Sequence, residues 1–143
     1  MALTRREACM MIPALMAATA SYGADEKPHS TEVLKSAIYN FKDLHVIKSA
    51  DHNTYPMFEG KTHTGMAVQL HETELLLGAQ PHPPHRHPAE EIFLVREGTV
   101  EVTIDGKRSD LTGGSVAYIA SNALHGIRNV GNQPARYFVM QMD

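Results

Sequence analysis

Cysteine is almost absent from this sequence: Cys9 is the only one among 143 residues. A single thiol excludes an intrachain disulfide, a thiolate metal cluster and a CxxC redox pair. Any metal ion that the chain binds must therefore use nitrogen and oxygen ligands. The nine histidines are numerous for this length, and only their spacing can show whether some of them act together.

Clustered positive charge is also lacking. The formal net charge is -3, and no run of Lys or Arg is longer than two residues. Binding to the phosphates of a nucleic acid needs a concentrated basic surface, so we expect no nucleic-acid partner. With 43% hydrophobic and 20% charged residues, the chain has the composition of a folded globular protein, and its length suits one domain with one core.

A long apolar run is missing too, since a membrane-spanning helix needs about 20 such residues. The most apolar stretch, residues 8–20, follows a basic start at Arg5 and Arg6. It ends at residues 18–20 in a small-x-small pattern that signal peptidases accept. We therefore predict an export signal over residues 1–23, of the general or the twin-arginine type, and a periplasmic or secreted protein with no stable membrane span. A cytoplasmic chain with a frayed N-terminal arm is the alternative.

Residues 24–64 are polar and weakly patterned, and we interpret them as an N-terminal arm with short strands. Ser36–Phe41 (SAIYNF) has the best strand pattern, whereas Asp51–Gly60 (DHNTYPMFEG) is rich in turn-forming residues and is predicted as a connection. A short helix over residues 31–35, capped by a hydroxyl side chain, is an alternative at the start of this arm.

Strand patterns become regular after Gly65. Apolar and polar residues alternate in residues 66–70 and 100–104, which is typical of strands with one buried face. Asp105-Gly106 suits a tight hairpin between two such strands. Because short strands separated by turns continue to the end of the chain, we predict an all-β sandwich or barrel over residues 65–143.

One of these strands is apolar on both faces. Residues 92–95 read Ile-Phe-Leu-Val, so one face points into the barrel while the other must be covered. The cover is either the N-terminal arm or a second subunit. We therefore predict a homodimer in which the arm can also protect a sheet edge.

Candidate metal ligands lie in two stretches of the barrel region. His85 and His87 are two residues apart, which on a strand places both imidazoles on one face. Glu91 follows with the same parity, and closure of the barrel can bring His125 opposite the pair. Three imidazoles and a carboxylate suit one divalent ion of Fe, Mn, Ni, Cu or Zn, with positions open for water or substrate. The alternative is that these four side chains only hydrogen-bond within the barrel.

The first stretch resembles a signature motif of the cupin superfamily. In that family the motif is a glycine, a short spacer, His-x-His, three or four residues, a glutamate, six residues and a glycine. This chain has one extra residue in the spacer. It reads Gly78, AQPHPP, His85-Arg86-His87, PAE, Glu91, IFLVRE and Gly98.

The second stretch resembles the other cupin motif, which is a glycine, five residues, Pro-x-Gly, two residues, a histidine, three residues and an asparagine. Ala120 replaces the proline and Asn122 replaces the glycine, but asparagine tolerates the left-handed backbone that glycine would adopt. Neither departure affects a candidate ligand. The chain reads Gly114, SVAYI, Ala120-Ser121-Asn122, AL, His125, GIR and Asn129.

The resemblance implies an antiparallel double-stranded β-helix, the jelly-roll barrel of cupins, with a metal site of His85, His87, Glu91 and His125. Members of the superfamily include metal-dependent dioxygenases, isomerases, decarboxylases, lyases and non-catalytic binding or storage proteins, so the fold does not decide the function. We expect a metal-dependent oxygenase or lyase acting on a small polar molecule. The alternative is a non-catalytic module that binds a small ligand or a metal. An epimerase-like cupin would use a His and Tyr pair and usually lacks the metal.

Several other polar residues are open to two interpretations. His71 and His82 could neighbour the site, but a surface, structural or loop role is favoured for both. Asn129 is interpreted as a turn or backbone-bonding residue. Four residues could orient an anionic ligand if they point inward, although an exposed strand face is the default for each: Arg96, Tyr118, Arg128 and Tyr137.

Overall fold

The computed structural model describes residues 30–143, which form nine β-strands and one short 3-10 turn at Phe41–Asp43. No α-helix occurs in this part of the chain, and the predicted all-β fold is confirmed. The strands are β1 (Ile47–Lys48), β2 (His52–Lys61), β3 (Ala67–Leu75), β4 (Glu90–Glu97), β5 (Thr99–Ile104), β6 (Lys107–Thr112), β7 (Val116–Ile119), β8 (His125–Asn129) and β9 (Ala135–Met142).

The strands form two antiparallel sheets. The large sheet has the order β1-β2-β3-β9-β4-β7, and the small sheet has the order β6-β5-β8. The chain passes from the large sheet to the small one between β4 and β5 and returns between β6 and β7. It crosses to the small sheet again at β8 and returns to the large sheet at β9. This winding between two layers is the predicted jelly roll.

The crossing from β4 to β5 depends on Gly98. Its φ is +82°, in the left-handed region that favours glycine. A Cβ atom added there would lie 2.7 Å from the Cα atom of Ala135, which is too close for any side chain. The last glycine of the first motif therefore lets the start of β9 pack directly against the end of β4.

The core lies between the sheets and is built from alternate residues of each strand. On β4, Phe93 and Val95 point inward and are 3% and 0% exposed, while Leu94 between them faces outward and is 41% exposed. Val100 and Val102 are buried in the same way from the small sheet. Full burial of one side chain of this size contributes about 1.5–3 kcal/mol to the free energy of folding. Burial of the alternate apolar residues therefore stabilises the closed barrel.

Two turns confirm the expectations from local sequence. Asp105 and Gly106, which join β5 to β6, have φ values of 46° and 81°, and positive φ at both positions is what a type I′ hairpin requires. Asn122 has a φ of 61°. It therefore adopts the left-handed conformation of the glycine that it replaces in the second motif.

The strand and the connection predicted within the N-terminal arm are wrong, and the alternative helix does not form. Ser36–Phe41 belongs to no strand, residues 31–35 form no helix, and Asp51–Gly60, predicted as a connection, lies almost wholly in β2. β2 pairs with β3 along its length, and the register shifts between Pro56 and Phe58. This irregularity accommodates a proline, which has no N–H to donate. Pairing with β3 thus overrides the local preference for turns.

The remainder of the arm packs on the outer face of the large sheet. The ring of Tyr39 lies 5.6 Å from that of Phe58, and the ring of Phe41 lies 4.8 Å from that of Tyr55. These contacts cover the outer face at β2. The outward-facing Leu94 of β4 stays exposed, so within one chain the arm does not supply the cover that residues 92–95 were expected to need.

The predicted export signal, residues 1–23, lies outside the described residues and stays a prediction. Within residues 30–143, no helix is long and apolar enough to cross a membrane.

Candidate metal centre

Backbone hydrogen bonds join the two segments that carry the candidate ligands. The N–H of His85 donates to the carbonyl of His125, and the N–H of His125 donates to the carbonyl of His85, both at 3.0 Å. The N–H of Asn122 donates to the carbonyl of His87 at 2.9 Å. These bonds place the His-x-His segment beside the start of β8, so the two motifs meet at the barrel wall.

The structure brings all four sequence-predicted residues together. The ligand nitrogen atoms of His85, His87 and His125 lie within 4.8 Å of one another. Glu91, near the start of β4, adds a carboxylate whose Oε2 lies 3.0 Å from Nε2 of His125 and 3.8 Å from Nε2 of His87. Glu91, His87 and His125 are all buried. This cluster, called the four-residue centre below, lies on the inner face of the barrel.

Two of the imidazoles are held in a defined tautomer. Nδ1 of His87 lies 2.9 Å from the carbonyl of Ala89, and Nδ1 of His125 lies 2.9 Å from the carbonyl of Ala123. A carbonyl oxygen only accepts hydrogen bonds, so each Nδ1 carries the proton. In the neutral form of each ring, Nε2 then presents a lone pair to the centre, as a metal-ligating histidine does.

Unpartnered polar atoms are concentrated at this centre. Five buried side-chain atoms within residues 30–143 have no hydrogen-bond partner, and four of them belong to the four-residue centre. An unsatisfied buried group costs about 1–3 kcal/mol, and acceptors that face one another need a cation between them. Nitrogen and oxygen donors of this kind fit a divalent transition metal. The four atoms are His85 Nδ1, His87 Nε2, Glu91 Oε2 and His125 Nε2.

Electrostatics favour the charged form of the carboxylate. Burial alone would raise the pKa of Glu91, but the close imidazole of His125, the hydrogen bond from Gln141 and the imidazole of His87 outweigh burial and lower that pKa. Burial also lowers the pKa of His125, but Glu91 and the Ala123 carbonyl outweigh it and raise that pKa. The pKa of His85 falls to about 4, first because of burial and then because of the surrounding histidines. His85 is therefore neutral at pH 7 and retains a lone pair for a ligand bond.

A cavity of about 270 Å³ opens beside the centre and is lined by His85 and Glu91. Its walls include apolar side chains such as Phe93 and Val139, together with His52 and His71. Burial lowers the pKa of His71, so this imidazole is neutral at pH 7. The cavity therefore combines an apolar wall with groups that can exchange protons.

Residues 71–141 match the family model of the cupin domain, and this range contains both ligand-bearing motifs. The chain belongs to the cupin superfamily. Its departures from the motifs, at Ala120 and Asn122, leave the four-residue centre of this cupin unchanged. No curated protein sequence matches the chain.

Solved structures share the fold of this cupin. An RmlC-like cupin from Shewanella frigidimarina has a TM-score of 0.62 and 17% identity, over 75% of this chain and 91% of that one. KdgF from Halomonas sp. has a TM-score of 0.65 and 14% identity, over 75% and 94%. A predicted oxalate decarboxylase from Thermotoga maritima has a TM-score of 0.62 and 13% identity, over 74% and 98%. At these identities the likeness shows the fold alone.

Three of the residues considered for orienting an anionic ligand do not reach the cupin cavity. Arg96 donates to Glu72 on the outer face of the large sheet, at 3.2 Å. The Tyr118 hydroxyl donates to Glu90 at 2.6 Å, and Arg128 donates to Glu101 at 3.1 Å, both on exposed surfaces. These three side chains therefore lie on outward strand faces, as was expected by default.

Tyr137, the remaining residue of that group, and the motif asparagine Asn129 are both buried. Tyr137 lines the cavity, and burial raises its pKa. Asn129 donates from Nδ2 to the carbonyls of Leu75 and Gln133, both at 2.9 Å, and accepts from the N–H of Gly131. It therefore holds loop backbone in place, as the motif asparagine was expected to do.

Sequence reasoning underestimated the histidines around the centre. His71 lines the cavity instead of the protein surface. His82 is an exposed loop residue, as favoured, but it also lines the cavity, and its ring meets that of His85 edge-on with centroids 4.3 Å apart. His52 also lines the cavity, and its Nδ1 lies 2.7 Å from Oδ1 of Asp51. No sequence signal identified His52, because its segment was predicted as a connection and had no assigned strand parity.

Proposed function

We propose that this cupin holds one divalent transition-metal ion, of Fe, Mn, Ni, Cu or Zn, with His85, His87, Glu91 and His125. We propose further that it acts as a metal-dependent oxygenase or lyase on a small polar molecule in the adjoining cavity. The observation that carries the proposal is a cluster of four unpartnered buried polar atoms beside the cavity. The three imidazoles have ligand nitrogens within 4.8 Å of one another, and Oε2 of Glu91 lies 3.0 Å from Nε2 of His125. In an apolar barrel these atoms are costly unless a shared cation satisfies them.

A bound ion of this kind would supply Lewis-acid or redox chemistry. The protein side chains prepare the place where that chemistry is used. The Ala89 and Ala123 carbonyls keep Nε2 of His87 and His125 directed at the centre. The apolar side chains of Phe93, which is buried, and of Val139 limit the access of bulk water to the cavity.

The polar lining of the cavity favours an enzyme over a passive binder. His71 is neutral, lines the cavity and makes no side-chain hydrogen bond to residues 30–143, so it is available to take a proton from a ligand. The contact with Asp51 occupies Nδ1 of His52 and leaves its Nε2 as the free polar atom of that ring. A wholly apolar lining would offer no group for general acid or base catalysis.

A non-catalytic module is the second candidate function. The cavity, about 270 Å³, is slightly smaller than the roughly 300–1,000 Å³ of most small-molecule sites. No Lys or Arg lines it within the described chain. These features suit capture of a very small ligand or of the metal itself.

Metal analysis of freshly purified protein tests the proposal. We expect about one transition-metal ion per chain in the parent and almost none in the His87→Ala/His125→Ala variant, because two of the four ligands are missing. Circular dichroism should show that the barrel remains folded, since its core is apolar. Equal metal content in the double variant would overturn the metal site.

A second experiment separates the two candidate functions. Protein reloaded with Fe²⁺ or Mn²⁺ is screened for dioxygen consumption or carbon–carbon cleavage against a panel of small hydroxy and keto acids. Turnover that depends on both the ion and His71 supports the enzyme. Binding of a panel compound that persists without metal and without turnover supports the module.

Export of the protein is a separate proposal that rests on the sequence of residues 1–23. Mass spectrometry of the protein recovered from its native host should find an N-terminus near residue 21 or residue 24. An intact N-terminus in that material would contradict export.

A further inference from the structure

A row of three polar side chains crosses the inner face of the large sheet. Gln69 on β3 is the register partner of Gln141 on β9, which in turn is the register partner of Glu91 on β4. Residues directly opposite on antiparallel strands have Cβ atoms about 4.5–5.5 Å apart on the same face. The three side chains therefore form a continuous row, called the glutamine row below, that ends at the four-residue centre.

The hydrogen bonds along this row run in one direction. Nε2 of Gln69 donates to Oε1 of Gln141, and Nε2 of Gln141 donates to Oε1 of Glu91 at 2.9 Å. An ionised carboxylate only accepts hydrogen bonds, so the amide nitrogen of Gln141 must face Glu91. Its amide oxygen then faces Gln69, which donates to that oxygen. Gln69 thus favours the one amide orientation in which Gln141 donates a hydrogen bond to Glu91.

The two carboxylate oxygens of Glu91 consequently have different surroundings. Oε1 receives the bond from Gln141, whereas Oε2 lies 3.0 Å from Nε2 of His125 and has no hydrogen-bond partner. The backbone carbonyls of Ala89 and Ala123 orient His87 and His125 in a comparable way. Gln141, supported by Gln69, is thus the outer partner of Glu91, the one acidic member of the centre.

We infer that Gln141, oriented by Gln69, is a positioning residue that holds Glu91 with a single carboxylate oxygen directed at the metal. The inference rests on the proposed metal-binding function. Without the bond to Oε1, the carboxylate can rotate, and both of its oxygens become available to an ion. The glutamine row therefore sets both the affinity of the centre and the number of oxygen atoms that Glu91 contributes.

Replacing each glutamine by methionine, which has a similar length but no amide, tests this inference. We expect Gln141→Met to weaken Co²⁺ binding about 10-fold or more, since loss of an outer partner typically costs 10–100-fold in metal affinity. Gln69→Met should weaken binding less, because Gln141 keeps its donor and loses only its orientation. Gln133→Met, at an exposed loop position, is the matched control and should leave the affinity unchanged.

Titration of the metal-free full chain with Co²⁺ provides two readouts. The first is the Kd, and the second is the visible absorption spectrum of the bound ion, which reports the number and kind of its ligands. Gln141→Met should change both. Because the two glutamines act in series, Gln69→Met should add nothing in the Gln141→Met background. Thermal unfolding of each metal-free variant separates these effects from general loss of stability.

The possible negative results have different meanings. If the parent binds Co²⁺ and Gln141→Met binds it within twofold and with the same spectrum, the positioning role is overturned while the metal site stands. Equal losses from Gln69→Met in both backgrounds would also overturn it. If the parent takes up no Co²⁺, the metal-binding function itself fails, and the inference fails with it.

Discussion

Two buried glutamates on opposite faces of the large sheet meet very different partners. Glu72 on β3 faces outward and is 0% exposed, while Glu91 on β4 faces inward and is 4% exposed. Two arginines approach Glu72, with Arg96 at 3.2 Å and Arg136 at 3.7 Å. Glu91 instead meets the imidazoles of His87 and His125 and the amide of Gln141. A carboxylate that already has permanent cations beside it is a structural group, whereas one surrounded by lone pairs indicates a place for an added ion.

The first prediction removes the charge from each glutamate in turn. Glu91→Gln should weaken divalent-metal binding by about 100-fold or more, above the usual effect of an outer partner, because the only anionic ligand is lost. Glu72→Gln should leave the metal affinity unchanged, since Glu72 lies on the other face of the sheet. Calorimetric titration with Co²⁺ or Zn²⁺ measures both. A similar loss of metal affinity in the two variants would contradict the assignment of Glu91 to the metal site and of Glu72 to a structural ion pair.

The second prediction concerns the stability of the metal-free protein. Glu72→Ala should lower the free energy of unfolding by about 3 kcal/mol, the low end for a broken buried ion pair, because the arginines keep some access to water. Metal-free Glu91→Gln should change it by less than about 1 kcal/mol, because this change removes an acceptor that has no partner. Urea denaturation in the presence of a chelator provides the values. A larger loss in the free energy of unfolding for Glu91→Gln than for Glu72→Ala would contradict this prediction.

The third prediction uses pH to separate the two faces. The folded pKa of His85 is about 4, below its ordinary value of 6.5. Between pH 6.5 and pH 4, the unfolded chain binds a proton at His85 that the folded protein does not bind. The free energy of unfolding therefore falls as the pH is lowered through this range. Burial raises the pKa of Glu72 despite the two arginines, so its protonation adds stability as the pH falls through the folded pKa.

Urea midpoints of metal-free protein between pH 7 and pH 4 test these opposite signs. His85→Gln should make the loss of stability shallower, because the group that resists protonation is gone. Glu72→Gln should make the loss steeper, because the offsetting gain disappears. Parallel curves for the parent and both variants would show that neither group dominates the acid response.

The smallest effect concerns the part of the outer face that the arm leaves open. Leu94 pairs with Val116 across β4 and β7, and Ile92 pairs with Tyr118. Leu94, Val116 and Tyr118 are exposed, which suits the predicted homodimer. Leu94→Arg should shift the protein from dimer to monomer in light scattering at micromolar concentration. Leu77→Arg, at an exposed site outside the strands, is the control and should stay dimeric. A monomeric parent would contradict the dimer.

Local sequence determined those features whose causes are local. The period of two in residues 100–104 predicted a strand with one buried face, and Asp105-Gly106 predicted a hairpin because both residues accept positive φ. The His-x-His spacing, Glu91 and His125 also pointed to one cluster. Their types and intervals, together with the resemblance to the cupin motifs, were enough to select the four residues that the barrel gathers.

Only the tertiary structure decided which face of each strand looks inward and which segment completes the sheet. β2 was hidden by its turn-forming residues, because its stability comes from pairing with β3 and not from its own propensities. His71 and Glu72 are neighbours in sequence, yet one lines the cavity and the other meets arginines on the outer face. Strand parity requires adjacent residues to point apart, but which of them faces the centre depends on what the sheet packs against.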